Sequence, residues 1–267
     1  MYTLVVTDLD GALLDHNTYD FSPALPALAR LRELAIPLIL NSSKTRAELE
    51  LWRKRLGFAD PFIAENGGAV FFPCGYFPSP PPCAVVRGGY EIIELGAPYQ
   101  ALVTALRGAA LESGCAVRAF HELAEVEVAE LCGLPVEDAR LAKAREYDEA
   151  FQVLTAEKEA DLLAAITRRG LRSARGGRFH HILGGSDKAR AVELLRLAYS
   201  RYQPIARIVG LGDALNDAPF LQMVDVPIVI PSPQVDALRR AVPEARLAPA
   251  PGPAGWNQAV LDLLAAV

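Results

Sequence analysis

Tyr2-Thr3-Leu4-Val5-Val6-Thr7 runs directly into Asp8-Leu9-Asp10-Gly11. A short apolar run rich in β-branched residues has the pattern of a parallel strand covered on both faces. Similar runs occupy residues 36–40, 206–211 and 226–230, and helical spacing of apolar residues fills 23–34, 45–56, 186–199 and 256–266. Strands alternating with helices in this way predict an α/β fold with a doubly wound, Rossmann-like parallel sheet. Ligands of such sheets bind beyond the carboxyl ends of the strands. The polar residues that follow the runs, Asp8 with Asp10, Asn41-Ser42-Ser43 and Gly212-Asp213, are therefore expected at one site.

Two carboxylates two residues apart, ahead of a glycine turn, suit metal binding or acid/base work; a solvated turn with two Asp residues is the plain alternative. A calcium loop fits less well, because its glycine belongs at the sixth position, whereas Gly11 stands fourth from Asp8. Gly210-Leu211-Gly212-Asp213-Ala214-Leu215-Asn216-Asp217 adds two more carboxylates after another apolar run. Acidic groups gathered on neighbouring strand ends repel one another unless a hard cation sits among them, and Mg²⁺ takes a few carboxylates together with water and phosphate oxygens. Asp213 also suits a helix N-cap, and Asp217 a supporting place behind the ligands. Ser42 and Ser43 precede a helix starting near Thr45, where hydroxyls and N–H groups can meet an anion and where one serine can equally cap the helix. Lys188 opens another helix against its macrodipole, a place that favours phosphate anchoring over simple solvation.

Composition narrows the partners. With 51% apolar residues and a net charge of -5, a compact protein is expected, and a nucleic-acid surface is not, since phosphate backbones demand clustered Lys and Arg. No stretch approaches the ~18 to 20 apolar residues of a membrane helix, and the first residues lack a basic region and cleavage site, so no membrane partner and a cytoplasmic address are expected. Nothing points to an obligate protein partner. The four Cys residues, without a CxxC pair, fit neither zinc nor a disulfide framework. Five Lys against 22 Arg fit either heat adaptation or a GC-rich genome.

The Pro-rich segment 78–82 reads as a semi-rigid connection. Beyond it, helical patterns at 98–112, 122–131, 136–145 and 156–169 mix with short strands at 116–120, 151–154, 171–175 and 179–183. This predicts a core of residues 1–82 and 186–267 interrupted by an inserted α+β cap, residues 83–185, with Gly184-Gly185 returning the chain.

In four places, Asp8-x-Asp10, the Ser after the second strand, Lys188 and Gly-x-Gly-Asp213-x-x-Asn216-Asp217, the order and spacing resemble the haloacid dehalogenase superfamily of phosphohydrolases, with a type-two cap of the Cof-like subclass. Asn41-Ser42-Ser43-Lys44-Thr45-Arg46, Glu65-Asn66-Gly67-Gly68, Arg145-Glu146-Tyr147-Asp148-Glu149 and Gly176-Gly177-Arg178-Phe179-His180 further resemble the mannosyl-3-phosphoglycerate phosphatase family, some of whose relatives also accept the glucosyl analogue. Ala12 departs from that pattern, where the family usually has Thr.

The resemblance implies a phosphatase with Asp8 as nucleophile and Asp10 as general acid and then base. It implies Mg²⁺, with Mn²⁺ or Co²⁺ as alternatives, held by Asp8, the Asp10 carbonyl and Asp213, with Asp217 behind them. Ser42, Ser43, Lys188 and Asn216 would bind phosphate. Glu65 and Asn66 would meet sugar hydroxyls, and Arg178 and His180 from the cap would reach the carboxylate of a small sugar-phosphate substrate; Arg145 and Tyr147 would meet substrate or tie the cap together. Another sugar phosphate, such as sucrose phosphate, and a non-catalytic phospho-receiver are the competing readings.

Overall fold

The structure, a computed structural model, describes residues 2–176, 179–185 and 187–265. In chain order its strands are β1 (Tyr2–Thr7), β2 (Leu38–Asn41), β3 (Phe62–Ala64), β4 (Ala69–Pro73), β5 (Val85–Arg87), β6 (Tyr90–Glu94), β7 (Val117–Ala119), β8 (Asp148–Val153), β9 (Arg172–Gly176), β10 (Phe179–Leu183), β11 (Ile205–Gly212), β12 (Val226–Val229) and β13 (Arg246–Leu247). Among the described residues they make two sheets: nine strands ordered β13-β12-β11-β1-β2-β3-β4-β6-β5, and four ordered β7-β8-β10-β9.

The strand β1 lies inside the larger sheet, parallel to β11 on one side and β2 on the other. Its side chains alternate between two cores. Val5 packs with Leu28, Leu49, Trp52 and Trp256 on one face, whereas Leu4 and Val6 pack with Val192, Leu195, Phe220 and Leu238 on the other. Helices thus cover both faces, which is why the strand reads as apolar throughout rather than alternating. The expected doubly wound core is present, with an antiparallel extension β4-β6-β5 beyond β3.

That extension corrects the boundary expected at residue 83. The hairpin of β5 and β6 pairs with β4 in the larger sheet, so the chain leaves that sheet after Glu94 and not after the proline run. The strands β3 to β6, three to five residues long, stand outside the strand pattern read from the sequence. The chain returns at Gly184, where an added Cβ would lie 2.6 Å from the Ala97 nitrogen. Only glycine lets the outgoing and returning segments lie that close.

In the smaller sheet all pairings are antiparallel. One face packs on helices Tyr99–Ser113 and Glu159–Arg168 through Leu102, Leu106, Phe151, Leu162 and Ile182. Helices Glu125–Cys132 and Val136–Ala142 form a second cluster with Phe120, Ala150 and Phe179. Among the described residues no helix is long and apolar enough to cross a membrane.

Candidate active site

Three main-chain and side-chain bonds fix the turn after β1. The Asp8 N–H donates to the Leu211 carbonyl at 2.9 Å, the Thr7 hydroxyl donates to the Asp8 carbonyl at 2.7 Å, and the Trp256 indole N–H donates to the Thr7 hydroxyl at 2.9 Å. Gly11 follows with φ +84°, and a Cβ there would stand 2.5 Å from Asp213 Oδ2. The loops after β1 and β11 therefore meet at a point that admits no side chain.

Lys188 begins helix Lys188–Ser200, whose N-cap Asp187 accepts the Arg190 N–H. The lysine is 2% exposed. Its ammonium donates to Asp8 Oδ1 and Asp217 Oδ1, each at 2.6 Å. The other oxygen of Asp217 accepts the N–H groups of Asp213 and Ala214 at 3.0 and 3.1 Å. Asp8, Asp213 and Asp217 bring carboxylate oxygens within 4.8 Å of one another. Burial, with Lys188 opposing it and Asp217 adding to it, pushes the Asp8 carboxyl up to about 7. Asp213 is raised as well, by burial and by the charge of Asp8. One ammonium does not balance three buried carboxylates, and an all-oxygen, acidic donor set fits a hard divalent cation such as Mg²⁺.

Asp10 lies apart from these three carboxylates. Its Oδ2 meets the Lys44 ammonium at 2.9 Å, and its Oδ1 is buried without a hydrogen-bond partner among the described residues. Asp8, Asp10, Lys44, Asp213 and Asn216 line a cavity of about 790 Å³ whose other wall includes Phe120, Phe179, Arg145 and His181. The site thus lies between the ends of the core strands and the smaller sheet.

No protein-family model matches the chain. The glucosyl-3-phosphoglycerate/mannosyl-3-phosphoglycerate phosphatase of Methanococcoides burtonii is 39% identical to it over 266 residues, 99% of this chain and 98% of that one. The mannosyl-3-phosphoglycerate phosphatase of Pyrococcus furiosus is 36% identical over 231 residues, 86% of this chain and 91% of that one. The chain belongs to the mannosyl-3-phosphoglycerate phosphatase family. Its fold matches a haloacid dehalogenase-like hydrolase from Bacteroides thetaiotaomicron with TM-score 0.68 at 16% identity, across 98% of this chain and 100% of that one.

In this member of the family the residues expected at the site separate into groups. Asp8, Asp10, Ser43, Asn216 and Asp213 face the cavity, with Lys188 and Asp217 buried immediately behind Asp8. Ser42 is buried with its hydroxyl accepting the Lys44 N–H at 3.3 Å. Asn66 is a bridge: its amide donates to Asp148 Oδ2 at 3.0 Å and its carbonyl accepts from Asn216 Nδ2 at 3.3 Å. Arg178 lies outside the described residues.

Two expectations about substrate contacts are corrected. Glu65 is fully buried, and its two oxygens receive the N–H groups of Glu146, Tyr147 and Asp148 at 2.7 to 3.0 Å, leaving nothing for a sugar. His180 faces away from the cavity, stacked on Phe151 at 5.5 Å. Its neighbour His181 takes the cavity face, and its Nδ1 stands 2.9 Å from Asp148. Strand alternation places one His on each side, but the sequence does not say which side is which. Lys44, which adjoins Ser43 and has no role in the sequence reading, also lines the cavity. Arg145 lines the cavity and joins the cap to the core, through Asp148 and the Ser43 carbonyl.

Proposed function

We propose that this protein is a Mg²⁺-dependent phosphoric monoester hydrolase that converts mannosyl-3-phosphoglycerate, and the glucosyl analogue, to the glycosylglycerate and phosphate. The observation that carries this reading is the pairing of Lys188 with Asp8 at 2.6 Å, in a cavity where an Asp10 oxygen has no partner among the described residues. The names of the relatives support the substrate.

The chemistry follows from the positions. A carboxylate oxygen of Asp8 attacks phosphorus and the bond to the glycerate oxygen breaks, while Asp10 gives that oxygen its proton through Oδ1. Asp10 then takes a proton from water, whose oxygen attacks the aspartyl phosphate and releases phosphate, restoring Asp8. Lys188 holds phosphoryl oxygens as charge moves during both displacements, the electrostatic task that dominates phosphoryl transfer. Asp8 and Asp213 would hold Mg²⁺, with Asp217 behind them, and the ion supplies positive charge to the phosphoryl oxygens when bound. The deciding experiment is metal-dependent phosphate release from mannosyl-3-phosphoglycerate, glucosyl-3-phosphoglycerate, sucrose phosphate and hexose phosphates. Preference for the two phosphoglycerates supports the proposal, preference for sucrose phosphate replaces the substrate, and no release with any of them removes the activity.

Metal binding carries its own expected signature. The Asp8 carboxyl stands near 7 in the fold against an ordinary value of 3.8, so between those values the folded state keeps a proton that the unfolded chain has given up. A raised carboxyl costs stability as pH rises through that window, and a cation that replaces the proton recovers it. Metal-free protein is expected to lose stability on going from about pH 4 to about pH 7, and added Mg²⁺ to raise the melting temperature more near pH 8 than near pH 5.5. Thermal melts with Mg²⁺ and with chelator test this, and equal shifts at both pH values would count against the site.

A further inference from the structure

Among the described residues, most of the positive charge around the cavity is already committed. Lys188 is held between Asp8 and Asp217. Arg145 gives its Nε to Asp148, one terminal nitrogen to the Ser43 carbonyl at 2.8 Å and the other to the Ala142 carbonyl at 3.4 Å. His181 faces Asp148 at 2.9 Å. Lys44 differs. It is 7% exposed and lines the cavity, and Asp10 Oδ2 at 2.9 Å is the one acceptor within hydrogen-bond reach of its ammonium among the described residues. Glu48 Oε1 stands at 3.8 Å, and the Tyr19 ring centre at 5.0 Å. An ammonium carries three donors, so Lys44 has capacity to spare where a ligand enters.

Its place matters as much as its charge. Thr45 caps the next helix in a capping box with Glu48, whose side chain accepts the Thr45 N–H at 2.9 Å, and this fixes the Lys44 backbone at the site. Lys44 holds one oxygen of Asp10, and the other oxygen is the one left for the ester's leaving oxygen. A group a few bonds beyond that leaving oxygen therefore passes beside the ammonium. In a 3-phosphoglycerate unit that group is the carboxylate, attached to the carbon next to the ester-bearing carbon.

We infer that Lys44 determines specificity by binding the substrate's carboxylate, so that the site selects phosphate monoesters carrying a carboxylate close to the ester oxygen. The inference rests on the proposed phosphatase activity. A carboxylate there supplies this buried ammonium with a further acceptor beside Asp10, whereas the phosphate ester of an uncharged sugar supplies no second anion. Discrimination by one charge-assisted bond is worth roughly 10- to 100-fold.

The test compares mannosyl-3-phosphoglycerate with its carboxyl methyl ester, which keeps the same leaving oxygen, in the parent enzyme, Lys44→Met and Lys44→Arg. The parent is expected to favour the free acid in kcat/KM by roughly 10- to 100-fold. In Lys44→Met that preference collapses towards one, and Lys44→Arg, which keeps the charge, retains most of it. If Lys44 only orients Asp10, both substrates lose activity by the same factor in Lys44→Met and the preference survives, which overturns the assignment. A parent enzyme indifferent to the methyl ester also overturns it while leaving the phosphatase reading intact. A parent that releases phosphate from neither compound overturns the substrate reading itself, and the inference with it.

Discussion

Asp8→Asn is expected to reduce phosphate release by on the order of 10⁴- to 10⁶-fold, the range seen when a covalent nucleophile is removed. The amide of Asn has no charged oxygen to attack phosphorus, so no labelled phospho-protein should survive an acid quench from a labelled substrate. The fold should survive. Asp8 is pushed up to about 7 chiefly by burial, with Asp217 adding to the shift, so its charge opposes the metal-free folded state even with Lys188 at 2.6 Å. A neutral isostere removes that opposition, and metal-free Asp8→Asn is expected to melt no lower than the parent near pH 8. Activity lost with the melting temperature kept is the combined result to look for. Hydrolysis within tenfold of the parent would take the nucleophile role from Asp8.

The distinction between what the sequence revealed and what it hid is physical. Asp8, Asp213 and the serines directly follow apolar strands, so the rule that sites form at the carboxyl ends of parallel strands suffices to bring them together. Lys188 was legible because a cation at a helix N-terminus needs an explanation, and the explanation proved to be Asp8 and Asp217. The cap was less legible. Its antiparallel strands carry side chains to both faces, and a motif such as Phe179-His180-His181 does not reveal which face meets the core until the register is known: His181 lies opposite Ala150, and His180 opposite Phe151. Glu65 was hidden differently. A Glu beside an Asn and two Gly reads as an exposed turn suited to sugar hydroxyls, and its true partners are main-chain N–H groups about eighty residues away, a separation that local pattern cannot bridge.

That hidden role makes Glu65 a position where substitution should cost much stability. Glu65, Asn66 and Gly67 have φ values of 51°, 56° and 89°. For the two residues with side chains the left-handed conformation costs roughly 1 to 2 kcal/mol each, so tertiary contacts must hold it in place. The Glu65 carboxyl supplies them by accepting from Glu146, Tyr147 and Asp148. Asn66 bonds Asp148 from the next position, so one turn of the core grips the strand that starts the smaller sheet's central pair. Glu65→Ala strands three N–H groups in a buried place and is expected to cost about 3 to 5 kcal/mol, a fall of roughly 10 °C in melting temperature for a chain of this size. Glu65→Gln should cost less, about 1 to 2 kcal/mol. Its carbonyl can replace the oxygen that serves all three donors, and only its NH₂ then meets the Glu146 N–H, one donor against another. Calorimetry gives the order Glu, Gln, Ala, and amide exchange over residues 146–148 should accelerate in the same order. A Glu65→Ala protein that melts within a degree or two of the parent, with those amides still protected, would mean that the grip on the smaller sheet lies elsewhere, in Arg145 and its bonds to Asp148 and the Ser43 carbonyl.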